Sequence, residues 1–277
     1  MRPSLELNRL LPELLALARG AGDAILRVYH APQAPEVVVK SDSSPLTAAD
    51  LAAHALIDSG LQRLTPEIAR VSEEDATAPG DSATQPDVFW LVDPLDGTRE
   101  FIARRDEFTV NIALIESGRP RLGVVHAPAL ARSWWGGAGL GAFRADAART
   151  ERIAVAPPPR PAQAVRVVAS RSHLNDATRR FIARYPRYEL VQAGSSLKFC
   201  RIAEGAADVY PRLAPTCAWD TAAAQAVVEG AGGHVVQLDG TPLRYCHGRR
   251  DNPGFVALSS LTLLGAQGAL TPRGTLP

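Results

Sequence analysis

The sequence is poor in the features that mark secreted, membrane-spanning or nucleic-acid-binding chains. Three cysteines among 277 residues is an odd count, with no Cys-x-x-Cys pair and no mixed Cys/His spacing. That argues against a disulfide framework and a zinc site, and for a reducing compartment. Cys200 falls in a helical pattern and is expected to be packed, whereas Cys217 and Cys246 read as loop thiols. The formal charge is +1, so no strong field draws the chain to nucleic acid or to a membrane. No apolar run reaches the roughly 18 residues a spanning helix needs. The N-terminus lacks the basic start and uniform apolar core of a signal peptide, because Glu6, Glu13 and Asp23 interrupt it. There is no internal repeat.

What is present reads as alternating α and β structure. Amphipathic patterns predict helices over Leu5 to Tyr29 and Thr47 to Leu64. Thr109 to Ile115 and Leu122 to His126 flank Ser117-Gly118-Arg119-Pro120, a hairpin signal. Ala156-Pro157-Pro158-Pro159-Arg160-Pro161 reads as a stiff linker. Beyond it, strand patterns (Val165–Ser170, Tyr188–Gln192, Asp208–Pro211, His234–Leu238, Phe255–Ser259) alternate with helical ones (Leu174–Arg184, Ser195–Glu204 and the segment after Asp220). The expected organisation is an antiparallel α+β half over residues 1–155 and an α/β half over 162–260, with a site at their junction. Residues 261–277 read as a C-terminal extension without order of its own.

The most informative run is Asp93-Pro94-Leu95-Asp96-Gly97-Thr98. Phe89 to Val92 form an apolar strand pattern that would deliver Asp93 to its carboxyl end, where open α/β sheets place ligands. Pro94 is expected to end the ladder in a turn, letting Asp93 and Asp96 face one point. Gly97 permits close backbone approach, and the Gly97 and Thr98 amides would point at a phosphate if a helix starts here. Asp-Pro and Asp-Gly are also ordinary turn formers. Oxygen-only ligands suit magnesium rather than zinc.

Other carboxylates admit two readings each. Ser72-Glu73-Glu74-Asp75 is either a solvated loop or part of a ligand set. Asp220, before a helical segment, is either an N-cap or a buried ligand beside Trp219. One carboxylate of the Glu73 cluster with Asp93, Asp96 and Asp220 would carry four negative charges, which two divalent cations balance. Such paired ions lie roughly 3.5–4 Å apart and clamp the attacking and leaving oxygens of a phosphoryl displacement. Thr47 and Asp50 have capping-box spacing, and Asp50 is alternatively the base that takes a proton relayed through the Thr98 hydroxyl. Gly136 to Gly141 brushes against a dinucleotide-binding pattern but reads as a hairpin turn. Gly194-Ser195-Ser196 lacks the Gly-x-Ser-x-Gly elbow, so Ser195 reads as a helix N-cap or a phosphate contact rather than a nucleophile.

Together these motifs resemble the inositol monophosphatase superfamily, and more narrowly its bacterial 3′(2′),5′-bisphosphate nucleotidases of the CysQ type. The resemblance rests on Asp93–Thr98, Glu73-Glu74 and Trp219-Asp220-Thr221-Ala222-Ala223. The narrower match adds Lys40–Asp50, Leu64-Thr65-Pro66, Glu107–Ile115, Ser170–His173, Gly194–Cys200, Tyr210-Pro211-Arg212 and Asn252-Pro253-Gly254-Phe255. It covers about Leu10 to Ser259. It implies a layered αβαβα sandwich and a magnesium-dependent, lithium-sensitive phosphomonoesterase with two or three Mg2+ per site.

By that resemblance Glu73, Asp93, the Leu95 carbonyl, Asp96 and Asp220 ligate magnesium, with Glu74 behind them. Thr98 and Asp50 would activate the attacking water. Gly97 and Thr98 would hold the scissile phosphate, and Glu73 and Asp220 would also touch the substrate. His173, Gly194, Ser195 and Lys198 would line its nucleotide side, with Arg212 a weaker candidate. The implied reaction is hydrolysis of adenosine 3′,5′-bisphosphate to AMP and phosphate, with phosphoadenylyl sulfate a second substrate. Inositol monophosphate or a sugar bisphosphate is the alternative, and a non-catalytic nucleotide-binding protein a more remote one. The implied setting is a cytoplasmic monomer or homodimer, in the cytoplasm or peripheral on the inner membrane, with a small-molecule nucleotide as partner and no nucleic acid. Arg99, where related sequences often carry lysine or threonine, is expected to lie away from the chemistry.

Overall fold

A computed structural model describes residues 7–32, 37–39, 45–75, 86–169, 175–246 and 249–265. Helix α1 (Leu7–Tyr29), the short hairpin β1 (Val37–Val39) and β2 (Pro45–Thr47), and helix α2 (Ala48–Leu64) lead into a seven-stranded sheet. Its order is β3 (Ala69–Ser72), β4 (Val88–Asp96), β5 (Thr109–Glu116), β6 (Arg119–Ala127), β7 (Arg132–Gly137), β8 (Gly141–Ala145) and β9 (Thr150–Ile153). Only β3 and β4 pair in parallel. A one-turn helix, α3 (Thr98–Ile102), joins β4 to β5.

The rest of the chain builds a five-stranded mixed sheet. Its strands are β10 (Val165–Ala169), β11 (Tyr188–Gln192), β12 (Val209–Arg212), β13 (His234–Gln237) and β14 (Phe255–Leu258), ordered β11-β10-β12-β14-β13. Helices α4 (Asp176–Ile182), α5 (Leu197–Ala203) and α6 (Ala222–Gly230) lie between these strands in sequence.

Three cores define five layers. Leu14, Ile25, Ile57 and Leu61 of α1 and α2 pack on Trp90, Ile112 and Val124, one face of the large sheet. The opposite face, with Phe89, Leu91 and Ile115, packs on α5 and α6, which in turn cover Tyr210, Val235 and Phe255 of the small sheet. The outer face of the small sheet meets Phe181 and Ile182 of α4. This is the αβαβα sandwich that the family resemblance implied. The central layer is thin because α6 is nearly all small: a Cβ on Gly123 of β6 would meet the Ala223 carbonyl at 2.1 Å. Backbone against backbone at this spacing leaves no room for a side chain there.

Several expectations need correction. Pro94 does not end β4: the strand runs on to Asp96 through a register shift between Asp93 and Asp96. A bulge is where a sheet tolerates proline, and it lets both acids leave the ladder's regular alternation. Ser195 is not a helix cap. Its φ is +47°, and α5 begins two residues later with Ser196 at the N-cap. Asp220 is not a cap either. Thr221 holds that position in α6, and the Asp220 carboxylate turns back to the Cys217 amide at 2.9 Å. The Gly136–Gly141 stretch is the β7–β8 hairpin turn, as read from the sequence. Leu263 and Leu264, in a short 3-10 turn, pack against the outer core of the small sheet, so the chain past residue 260 begins as part of the fold.

Candidate active site

The end of β4 is the hinge of the site. Asp93 is 1% exposed, and its Oδ1 accepts the Leu95 amide at 3.0 Å, which tightens the bulge. Gly97 follows with φ +91°, and the chain enters α3 with Thr98 first. Beside this run, β3 ends in a turn that carries Glu73 and Glu74. The Glu73 amide donates to Val92 O at 3.1 Å, and the Ser72 amide donates to the Asp75 carboxylate at 2.7 Å. The parallel pairing of β3 with β4 therefore delivers Glu73 beside Asp93. From the other half, the loop before α6 brings Asp220.

A cavity of about 370 Å3 opens among these segments. Glu73, Asp93, Leu95, Asp96, Gly97 and Thr98 form one wall. Asp220, Ser195, Lys198 and Arg212 approach from the other side. Burial raises Asp93 well above the usual carboxylate range, and the charges of Glu73, Asp96 and Asp220 push it further. Asp220 is pushed up to about 8, first by burial and then by Asp96. Four acids in mutual repulsion around one cavity, offering only oxygen, fit a hard divalent cation. Among the described residues no three such side chains are already closed into a metal cage. Asp96 Oδ2 and Asp220 Oδ2 are instead engaged by serine hydroxyls and a main-chain amide.

Asp50 sits behind Thr98 rather than on the cavity wall. Its Oδ2 accepts the Thr47 amide at 2.8 Å and the Thr47 hydroxyl at 2.6 Å, completing a capping box. Its Oδ1 accepts the Thr98 hydroxyl at 3.3 Å. The cap uses Oδ2 and the Thr98 contact uses Oδ1, and the Thr98 hydroxyl is equally 3.3 Å from the Leu95 carbonyl. Burial raises the Asp50 pKa despite the Thr47 bonds, and the Glu74 charge adds to the rise. Glu74 is electrostatically a neighbour of Asp50.

On the opposite wall Lys198 is 7% exposed, with Nζ 5.6 Å from the Tyr210 ring centroid. Burial lowers its pKa, while Asp96 opposes that shift. Gly194 lies behind the wall: a Cβ there would meet Glu107 Cβ at 2.9 Å. His173 lies outside the described residues. Arg99, expected to be remote, lines the cavity, as do Glu100, Cys217 and Asp251. Sequence reasoning also missed Asn111, whose amide donates to Ser196 Oγ at 2.9 Å and to Asp96 Oδ2 at 3.4 Å. Nothing in its strand context marks it, because its partners lie 15 and 85 positions away.

A model of the inositol monophosphatase family matches residues 6–272 of this chain. The 3′(2′),5′-bisphosphate nucleotidase CysQ of Escherichia coli strain K12 is 46% identical over 248 residues, which span 89% of this chain and 98% of that protein. The protein of the same name from Buchnera aphidicola is 39% identical over 255 residues, 90% of this chain and 94% of that one. The crystal structure of CysQ from Bacteroides thetaiotaomicron superposes with a TM-score of 0.79 at 36% identity, covering 92% of this chain and 98% of that one.

Proposed function

The chain belongs to the inositol monophosphatase family, and from that membership we propose that it is a magnesium-dependent 3′(2′),5′-bisphosphate nucleotidase. It would cleave the 3′-phosphate of adenosine 3′,5′-bisphosphate to give AMP and phosphate. Phosphoadenylyl sulfate, which carries the same 3′-phosphate, would be a second substrate. The observation that carries this reading is a two-sided cavity. Glu73, Asp93 and Asp96 line it from the end of β4, and Asp220 comes from the other half of the chain together with the cations Lys198 and Arg212. A substrate with two separated anionic groups satisfies both walls, and relatives 46% identical over nearly their whole length bear the nucleotidase name.

The family generally uses magnesium. In this chain Glu73, Asp93, the Leu95 carbonyl, Asp96 and Asp220 would hold two or three ions. Bound there, magnesium supplies positive charge to neutralise the phosphoryl oxygens and the leaving oxygen. The protein's own residues do the remaining work. Gly97 and Thr98 seat the scissile phosphate at the turn before α3. Water attacks phosphorus, the bond from phosphorus to O3′ breaks, and O3′ takes a proton from solvent water to leave as the 3′-hydroxyl of AMP. The water's proton passes to the Thr98 hydroxyl as that hydroxyl gives its own to Asp50 Oδ1. The raised Asp50 pKa makes it a stronger base than an exposed aspartate. Lys198 and Arg212 hold the far phosphate. No described helix is long and apolar enough to cross a membrane. Cys200, Cys217 and Cys246 are not joined in disulfides, in keeping with the cytoplasmic setting proposed for the enzyme.

Product chromatography tests the regiochemistry. Adenosine 3′,5′-bisphosphate should yield AMP with a 5′-phosphate and one equivalent of phosphate. Release of adenosine 3′-phosphate instead would reverse the assignment of the two walls.

A further inference from the structure

The acids of the site come from different layers, and something must hold them in register before any ion is bound. Asp96 ends β4 of the large sheet, and Asp220 precedes α6. Between them lies a single buried hydroxyl. Ser196 Oγ is 2.8 Å from Asp96 Oδ2 and 2.7 Å from the Asp220 carbonyl. Resting on the magnesium reading above, we propose that Ser196 is a positioning residue whose one hydroxyl hydrogen, shared in a three-centre bond between the Asp96 carboxylate and the Asp220 carbonyl, ties Asp96 to the Asp220 main chain and so sets the cation affinity of the pair.

The surrounding donors show how the tie is oriented. Ser196 is 1% exposed and Asn111 is 1% exposed, so neither can turn to solvent. The Asn111 amide donates to Ser196 Oγ at 2.9 Å, so the lone Ser196 hydrogen is left to be shared between Asp96 Oδ2 and Asp220 O. Thr109, fully buried, donates to Asn111 Oδ1 at 3.1 Å and fixes which end of the amide faces Ser196. Thr109 Oγ1 also lies 2.6 Å from Ser195 Oγ, and Ser195 donates to Asp96 Oδ2 at 2.6 Å. Asn111 Nδ2, Ser195 Oγ and Ser196 Oγ thus all lie within 3.4 Å of Asp96 Oδ2.

The backbone pays for this convergence. Ser195 sits at φ +47°, a region that non-glycine residues rarely adopt. Left-handed backbone at Ser195 is what lets two successive hydroxyls reach one carboxylate. A neutral hydroxyl is also the right tether here. Asp96 and Asp220 repel each other, and an arginine or lysine in its place would compete with the ion.

The test compares Ser196→Ala and Asn111→Ala with the parent. Magnesium affinity is read by calorimetry and by the magnesium-induced rise in Tm, and the magnesium activation midpoint is read by phosphate release. Loss of groups that orient metal ligands typically weakens affinity about 10- to 100-fold. Ser196→Ala should therefore raise the midpoint about tenfold, with kcat at saturating magnesium within about threefold of the parent. Asn111→Ala should shift the midpoint in the same direction, and it serves if Ser196→Ala does not fold. Midpoints within twofold of the parent in the folded variants, with the magnesium-induced Tm rise intact, overturn the proposal. A parent with no magnesium-induced Tm rise overturns the magnesium reading itself and this proposal with it.

Discussion

Replacing Asp220 with asparagine should abolish turnover and yet stabilise the metal-free protein. Asp220 is held among like charges and pushed up to about 8, from 3.8, with burial the first cause and Asp96 the second. A carboxylate whose folded pKa is raised makes the native state bind more protons than the unfolded one between those two values. Stability then falls as pH rises from about 4 to 8. At pH 7 the gap to 3.8 amounts to a ceiling on the order of 4 kcal/mol, at 1.36 kcal/mol per unit. Asp220 keeps a partly open edge on the cavity, and solvent screening there reduces the expected gain to about 1–3 kcal/mol. Asparagine keeps an oxygen for the Cys217 amide, so the loop before α6 loses no bond. In EDTA at pH 7, thermal unfolding of Asp220→Asn should show a Tm several degrees above the parent. The parent's decline in stability between pH 5 and 8 should flatten in the variant, and magnesium should no longer raise its Tm. A variant less stable than the parent in EDTA, but still stabilised by magnesium, would refute the reasoning.

Three further outcomes are expected. Thr98→Val keeps the shape but removes the hydroxyl between the cavity and Asp50, so kcat should fall by about 10²- to 10⁴-fold while the magnesium-induced Tm rise persists. Lys198→Met should lower kcat/KM for adenosine 3′,5′-bisphosphate by about 10- to 100-fold, the range for a lost charged hydrogen bond, and lower it less for adenosine 3′-phosphate, which lacks the second anion. His126 concerns stability alone. Burial, the largest cause, lowers its pKa from 6.5 to about 4, and Ser133 Oγ lies 2.9 Å from Nδ1. The unfolded chain therefore binds the proton first, and stability is lost as pH falls from about 6.5 to 4, by roughly 3 kcal/mol. Denaturant titrations at pH 7 and pH 4.5 should show that loss in the parent and not in His126→Asn.

The layers of the fold were legible because local pattern and tertiary demand agree. The amphipathic stripe of α1, the Ser117-Gly118 turn and the glycines after α6 each follow from rules of short range. The acids were legible for another reason: Asp93 and Asp96 stand at the end of an apolar strand, where charge is costly unless something pays for it. What escaped was anything decided by distant partners. Pro94 reads as a strand end until the bulge at Asp93–Asp96 is seen. Asp220 and Ser195 read as caps by position, but the Cys217 amide claims one side chain and Asp96 the other. Arg99 looked peripheral because its place on the cavity wall depends on how α3 leaves β4.

The proposed division of labour gives phosphate hydrolysis to the acids Glu73, Asp93, Asp96 and Asp220, and selection of a nucleotide bisphosphate to Lys198 and Arg212. The direct measurement is magnesium-dependent phosphate release by the purified protein from adenosine 3′,5′-bisphosphate, inositol 1-phosphate and fructose 1,6-bisphosphate at equal concentration. Adenosine 3′,5′-bisphosphate should be hydrolysed fastest by a wide margin, and EDTA should abolish release from all three. Faster release from inositol 1-phosphate by a large factor would contradict it.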